Sequence, residues 1–219
     1  MRTAMLLTAT LLAVGCSNDT IDDTDVNNDA LYGQYQGHFD AKDGSLKFYA
    51  QLRVGGPTGT TVRLSAPANF TLDGQPMSEH DGDEALVNVS GTYYFLQQSA
   101  TAPNDKYTFV WTRNDEQQFT NEITMPQAFT VTAPAEGDGW SGGDLVIEFQ
   151  GPPLQNATGV SEDILVTLTA TARAGEGQSQ VLSESITAGE QVVFPESEML
   201  KLPAGEVTIT ARKGRRSPV

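Results

Sequence analysis

The chain has 219 residues, with 28 acidic and 13 basic side chains, two histidines and one cysteine, giving a net charge of −15. Such an acidic balance excludes nucleic acid as a natural partner, because binding a phosphate backbone needs clustered Lys and Arg, and one cysteine excludes an intrachain disulfide framework or a Cys-rich zinc module. The hydrophobic share of 38% suffices for a packed core, and the length suits one large or two small domains.

Arg2 supplies a positive start, and residues 4–14 form an uncharged apolar run broken only by the hydroxyls of Thr8 and Thr10. Eleven residues are too few to cross a bilayer core, which takes about 20, so the run reads as a targeting segment over residues 1–15. It leads through Leu11-Leu12-Ala13-Val14-Gly15 into Cys16 and Ser17. This stretch resembles the lipobox of bacterial lipoproteins, although Ala13 stands where that family most often has Leu. The resemblance implies a diacylglyceryl thioether on Cys16, cleavage before it and acylation of the freed amine. An ordinary secretory signal cleaved after Gly15 is the alternative, and it would leave a lone thiol in an oxidising compartment. Ser17 after the cysteine is similar to the signal that sends Gram-negative lipoproteins to the outer membrane.

Residues 16–30 then carry Asp19, Asp22, Asp23, Asp25 and Asp29 with few apolar groups. Composition of this kind predicts a flexible, self-repelling tether between the lipid site and the fold. Asp23, Asp25 and Asn27 stand at alternate positions as in a calcium loop. The turn glycine is replaced by Asn28 and the closing Glu by Gln34, so the bidentate ligand is missing.

Period-two alternation dominates from Gln36 onward and predicts an all-β protein. Over residues 45–54, Leu46, Phe48, Ala50, Leu52 and Val54 share one face, and Lys47, Tyr49, Gln51 and Arg53 share the other. Further strands are expected around Tyr107, Phe109 and Trp111, over 118–124 and 128–133, around Leu145, Ile147 and Phe149, around Ile164, Val166, Leu168 and Ala170, and around Val207, Ile209 and Ala211. Pro- and Gly-rich turns such as Gly55-Gly56-Pro57 and Gly151-Pro152-Pro153 separate them, and only residues 195–201 read as a short helix. The expected architecture is two antiparallel β-sandwich, immunoglobulin-like domains, over 31–125 and 126–219, with the boundary near Pro126. The turn Leu202-Pro203-Ala204-Gly205-Glu206 into a last alternating strand resembles many bacterial immunoglobulin-like modules, without the cysteines of antibody domains.

No catalytic set emerges. Gly139-Trp140-Ser141-Gly142-Gly143 fits a hydrolase nucleophile pattern, but a strand is expected after it and both histidines, His38 and His80, precede it, so a glycine-rich turn is the reading. Residues 78–84, Ser-Glu-His-Asp-Gly-Asp-Glu, are the densest mix of His and carboxylates and are expected to form a solvated loop, with a metal site as the alternative. No cofactor is implied, and no carboxylate pair for glycoside hydrolysis can be picked out. Tyr49 and Tyr94 fall out of phase with their apolar neighbours, and Tyr32 and Tyr35 precede the first sheet, so Tyr49 and Tyr94 are candidate ligand-binding rings, with a role covering sheet faces as the alternative. The tail of Arg212, Lys213, Arg215 and Arg216 reads as a solvated, frayed terminus. The expected function is a lipid-anchored envelope protein acting as a non-enzymatic binding or spacer module, attached to the membrane through Cys16 and contacting an envelope protein or glycan. A carbohydrate-active enzyme or glycan-binding subunit is the alternative.

Overall fold

A computed structural model describes residues 20–27, 30–84, 89–157, 160–172 and 178–216 of this chain. The described strands of its N-terminal half are β1 (Thr20–Asp22), β2 (Leu31–Asp40), β3 (Ser45–Val54), β4 (Thr60–Arg63), β5 (Asn69–Leu72), β6 (Gln75–Pro76), β7 (Ser78–Glu84), β8 (Val89–Ser99), β9 (Lys106–Thr112) and β10 (Gln118–Thr124). The C-terminal half adds β11 (Thr130–Ala133), β12 (Leu145–Gln150), β13 (Asn156–Ala157), β14 (Val160–Ala172), β15 (Gln180–Ile186), β16 (Gln191–Phe194), the one-turn helix α1 (Glu196–Met199) and β17 (Gly205–Arg216). The fold is all-β, as the alternation requires.

The chain divides into two compact units. Of the described residues, the first takes those within 20–38, 46–98 and 108–121, and the second those within 39–45, 99–107 and 122–216. The division therefore falls inside β10, upstream of the Pro126 boundary expected from composition, and two short segments of the N-terminal half belong with the second unit.

In the first unit a six-stranded sheet runs in the order β1-β4-β3-β8-β7, with β2 also on β3, and a four-stranded sheet runs β10-β9-β5-β6. Rings from the two sheets meet between them. Phe48 approaches Phe109 at 6.3 Å, Tyr35 approaches Phe109 at 5.1 Å, and Phe70 lies 5.0 Å from Tyr94 and, across its own sheet, 6.4 Å from Trp111. These spacings are those of favourable edge-to-face and offset ring pairs, which add to the burial of the apolar faces. Leu46, Leu52, Val62 and Leu72 complete this interior.

β3 departs from the half-buried strand that its alternation suggests, because both of its faces are covered from Phe48 to Arg53. Tyr49 packs with Val89, Tyr93 and Phe95. Gln51 donates from Nε2 to the carbonyls of Ser90 and Thr92 at 2.8 and 2.9 Å, and Arg53 donates from Nε to Gln51 Oε1 at 2.9 Å. A polar side chain buried this way is tolerated because each donor has an acceptor.

The second unit packs a three-stranded sheet, β11-β12-β16, on a four-stranded one in which β13, β15 and β17 all pair with β14. Seven strands split three and four is the strand count of an immunoglobulin-like sandwich. Its core is mainly aliphatic, built from Ile147, Ile164, Val166, Leu168, Val192, Phe194 and Met199 with Phe149. β14 and β17 run antiparallel in register from Ser161↔Arg216 to Ala172↔Gly205. The basic C-terminal segment is thus the end of a strand and not the frayed tail its charge suggested.

Candidate functional site

The site that the fold builds most deliberately lies where the chain enters the first unit. β1 pairs in parallel with β4, with Thr20↔Thr61, Ile21↔Val62 and Asp22↔Arg63 in register. Residues 20–25 are therefore part of the fold, which corrects the reading of 16–30 as a tether throughout. The physical reason is that hydrogen bonding replaces hydrophobic burial: the Asp23 carboxylate, 4% exposed, accepts the Ser65 N–H at 2.8 Å. The Thr20 hydroxyl lies 3.1 Å from that of Thr61 and 3.0 Å from that of Thr92. The Thr92 hydroxyl donates to Asp81 Oδ1 at 2.6 Å.

Arg63 extends this network, donating to Glu79 Oε1 at 2.9 Å and Asp81 Oδ2 at 2.5 Å. The Glu79 hydrogen bond is the main reason its guanidinium pKa is raised, with the Asp81 charge next. Tyr94 closes the chain of bonds: its hydroxyl accepts the Leu64 N–H at 2.7 Å and donates to Glu79 Oε2 at 3.3 Å. Gly91 makes the close approach possible. It sits at φ +81°, and a Cβ there would meet the Thr61 side chain at 2.7 Å.

Residues 78–84 are the edge strand β7, paired antiparallel with β8 from Ser78↔Phe95 to Glu84↔Val89, and not the loop expected. Charge on an exposed edge strand blocks pairing with other chains, so the same composition has a structural cause. Its two faces differ. Glu79 and Asp81 join the network above, whereas His80 stacks on Tyr93 at 5.6 Å with the rings 15° apart. Tyr93 lies 6.0 Å from Tyr49, and His38 meets Tyr49 edge-on at 6.1 Å. Four rings from β2, β3, β8 and β7 thus form one row across the sheet.

Tyr49 and Tyr94 are not exposed platforms. They are 3% and 4% exposed, and a sugar or partner needs an open ring face to stack on. Burial is the main cause that raises both phenol pKa values, with Glu84 adding to the effect at Tyr49. Tyr35 is raised to about 12 by burial, and its hydroxyl accepts from Asn121 Nδ2 at 3.1 Å. Among the described residues the exposed large apolar ring is instead Trp140, at 39%, whose Nε1 donates to the Gly143 carbonyl at 2.9 Å. Its loop runs into β12, a strand, so Ser141 does not sit at the strand-to-helix elbow that a hydrolase nucleophile requires. Among the described residues no group of three or more His, Cys, Asp or Glu side chains is placed to hold a metal ion. Asp23, the first of the calcium-like triplet, is committed to Ser65.

In the second unit Glu162 is buried beside two cations. Lys213 Nζ lies 3.2 Å from Oε2 and Arg215 Nη1 lies 3.4 Å from Oε1, with side-chain exposures of 2% for Glu162 and 3% for Lys213. The Gln155 N–H also donates to Oε2 at 3.0 Å. Removing Glu162 would leave the Lys213 ammonium almost without water and without its carboxylate, a cost of about 3–5 kcal/mol. Sequence reasoning missed this cluster, although its signal was present: Glu162 is in phase with Ile164 and Val166, and Lys213 and Arg215 are in phase with Ile209 and Ala211.

Cys16 lies outside the described residues, as does the side chain of Arg216. No family model matches the sequence, and no curated protein is significantly similar to it.

Proposed function

We propose that the protein is a lipid-anchored bacterial envelope protein: Cys16 carries the lipid, and the all-β body acts as a non-enzymatic binding or spacer module whose partner is a protein or glycan of the envelope. The observation that carries this reading is the run Leu11-Leu12-Ala13-Val14-Gly15-Cys16-Ser17, in which the only cysteine of the chain follows a short apolar segment. Two or three acyl chains on such a cysteine would give the stable anchoring that one does not. The chemistry-bearing side chains of the first unit support the non-enzymatic part of the reading. Glu79, Asp81, Thr92 and Tyr94 hydrogen-bond one another, Arg63 or the backbone, and in doing so hold β1 and β4 in place. Ser17 favours the outer membrane as the destination in a Gram-negative host.

Replacing Cys16 with Ala tests the proposal. Palmitate labelling is expected to disappear and the protein to leave the membrane fraction. Retained labelling, or unchanged fractionation, would contradict it.

A further inference from the structure

If Cys16 is the lipid site, the distance from it to the first strand decides how the body sits. Thr20 follows Cys16 by only four residues, and a fully extended chain of that length spans at most about 14 Å. Thr20 is not the start of a loose arm, because β1 is in register on β4 and its hydroxyl is bonded to Thr61 and Thr92. The anchor is therefore short and its far end is fixed in the sheet.

The register also shows which end of the unit this is. Thr20 pairs with Thr61, Thr61 with Arg53, and Thr60 with Val54, so β1 begins beside the β3–β4 turn. That turn, Gly55-Gly56-Pro57-Thr58-Gly59, has no charged residue, and Gly59 is required in it because a Cβ would meet the Val54 carbonyl oxygen at 1.7 Å. Ser90 and the β7 residues Asp83 and Glu84 lie at the same end, since Arg53 donates to the Ser90 carbonyl and Asp83 pairs with Ser90. Ser78, at the other end of β7, lies six residues before Glu84, about 20 Å away along the strand.

We infer that the end of the first unit carrying the 55–59 turn is a membrane-facing surface, pressed against the lipid headgroups by the four-residue link from Cys16 to β1, so that the body lies on the bilayer in a set orientation. This rests on the lipid-anchor reading proposed above. Asp83 and Glu84 make neutral, zwitterionic headgroups the matching surface, because an anionic leaflet repels carboxylates within a Debye length.

The test uses full-length lipidated protein purified from membranes and placed in phosphatidylcholine–phosphatidylethanolamine vesicles that carry a headgroup-linked quencher. Once Cys16 is a thioether, the parent has no free thiol, so Thr58→Cys and Ser78→Cys each accept a single fluorescent label at an exposed position. Quenching is expected to be several-fold stronger at position 58 than at 78. A long Gly/Ser insertion between Asn18 and Asp19 is expected to keep vesicle binding and erase that difference. Bound protein with equal quenching at both positions, or a difference that survives the insertion, would overturn the orientation and leave the anchor reading intact. A parent protein that takes up the thiol label and stays off the vesicles would overturn the anchor reading itself.

Discussion

The two charged ends of the described chain are held by opposite means. At the N-terminal end β1 is fixed by hydroxyls, one buried carboxylate and the exposed Arg63–Glu79–Asp81 pairs, whose side chains are 37–57% exposed. At the C-terminal end β17 is fixed by Glu162, Lys213 and Arg215, with the first two almost wholly out of water. Exposed ion pairs contribute little singly, typically under 1 kcal/mol, whereas a buried cluster is costly to break because no solvent replaces the lost partner. The first unit thus distributes the hold on its terminus over many weak bonds, and the second concentrates it in one place.

This contrast sets the order of expected effects. Glu162→Ala is expected to be the most damaging, lowering stability by about 3–5 kcal/mol in urea denaturation through the stranded Lys213 ammonium; a change under 1 kcal/mol would show that water reaches the cluster. Gly91→Val places a side chain against Thr61 at a backbone angle that β-branched residues avoid. A loss of about 2–3 kcal/mol is expected, together with faster amide exchange at Thr20–Asp22 than elsewhere in the first unit. Alkaline pH provides a milder probe. Tyr35 has its pKa raised from 10.0 to about 12, so the unfolded chain releases that proton first. Stability is full below pH 10 and falls as pH rises from 10 toward 12, by on the order of 2 kcal/mol. Tyr35→Phe is expected to flatten that decline, and an unchanged slope would assign it to other groups. The smallest effect is expected for Arg63→Ala, under about 1 kcal/mol and diminishing with added salt.

The same two regions show where the sequence was readable. β3 and β10 were expected with the bounds they have, and β9 and β14 were expected from their inward residues, because in those two alternation over five or more residues leaves one solution for which face is inward. β1 was unreadable because its partner, Thr61, is 41 residues away and three residues hold no period of their own. β7 was hidden by the charges that protect an edge. The burial of Tyr49 could not be read from β3 alone, since what covers it is the Tyr93 and Phe95 face of β8. The Glu162 cluster was legible in phase but was outweighed by charge: a basic run at a C-terminus suggests solvent, and its register on β14 says otherwise. The proposed lipid site is of another kind, because a lipobox is a linear signal that depends on no fold, so the resemblance at Cys16 rests on sequence alone.

The account turns on the chemical state of that cysteine. Intact mass spectrometry of the protein purified from its native cells measures it directly. The expected species begins at Cys16 and carries the mass of a diacylglyceryl thioether plus an amide-linked acyl chain; a mature chain with an unmodified sulfur at Cys16 would contradict both the anchor and the orientation built on it.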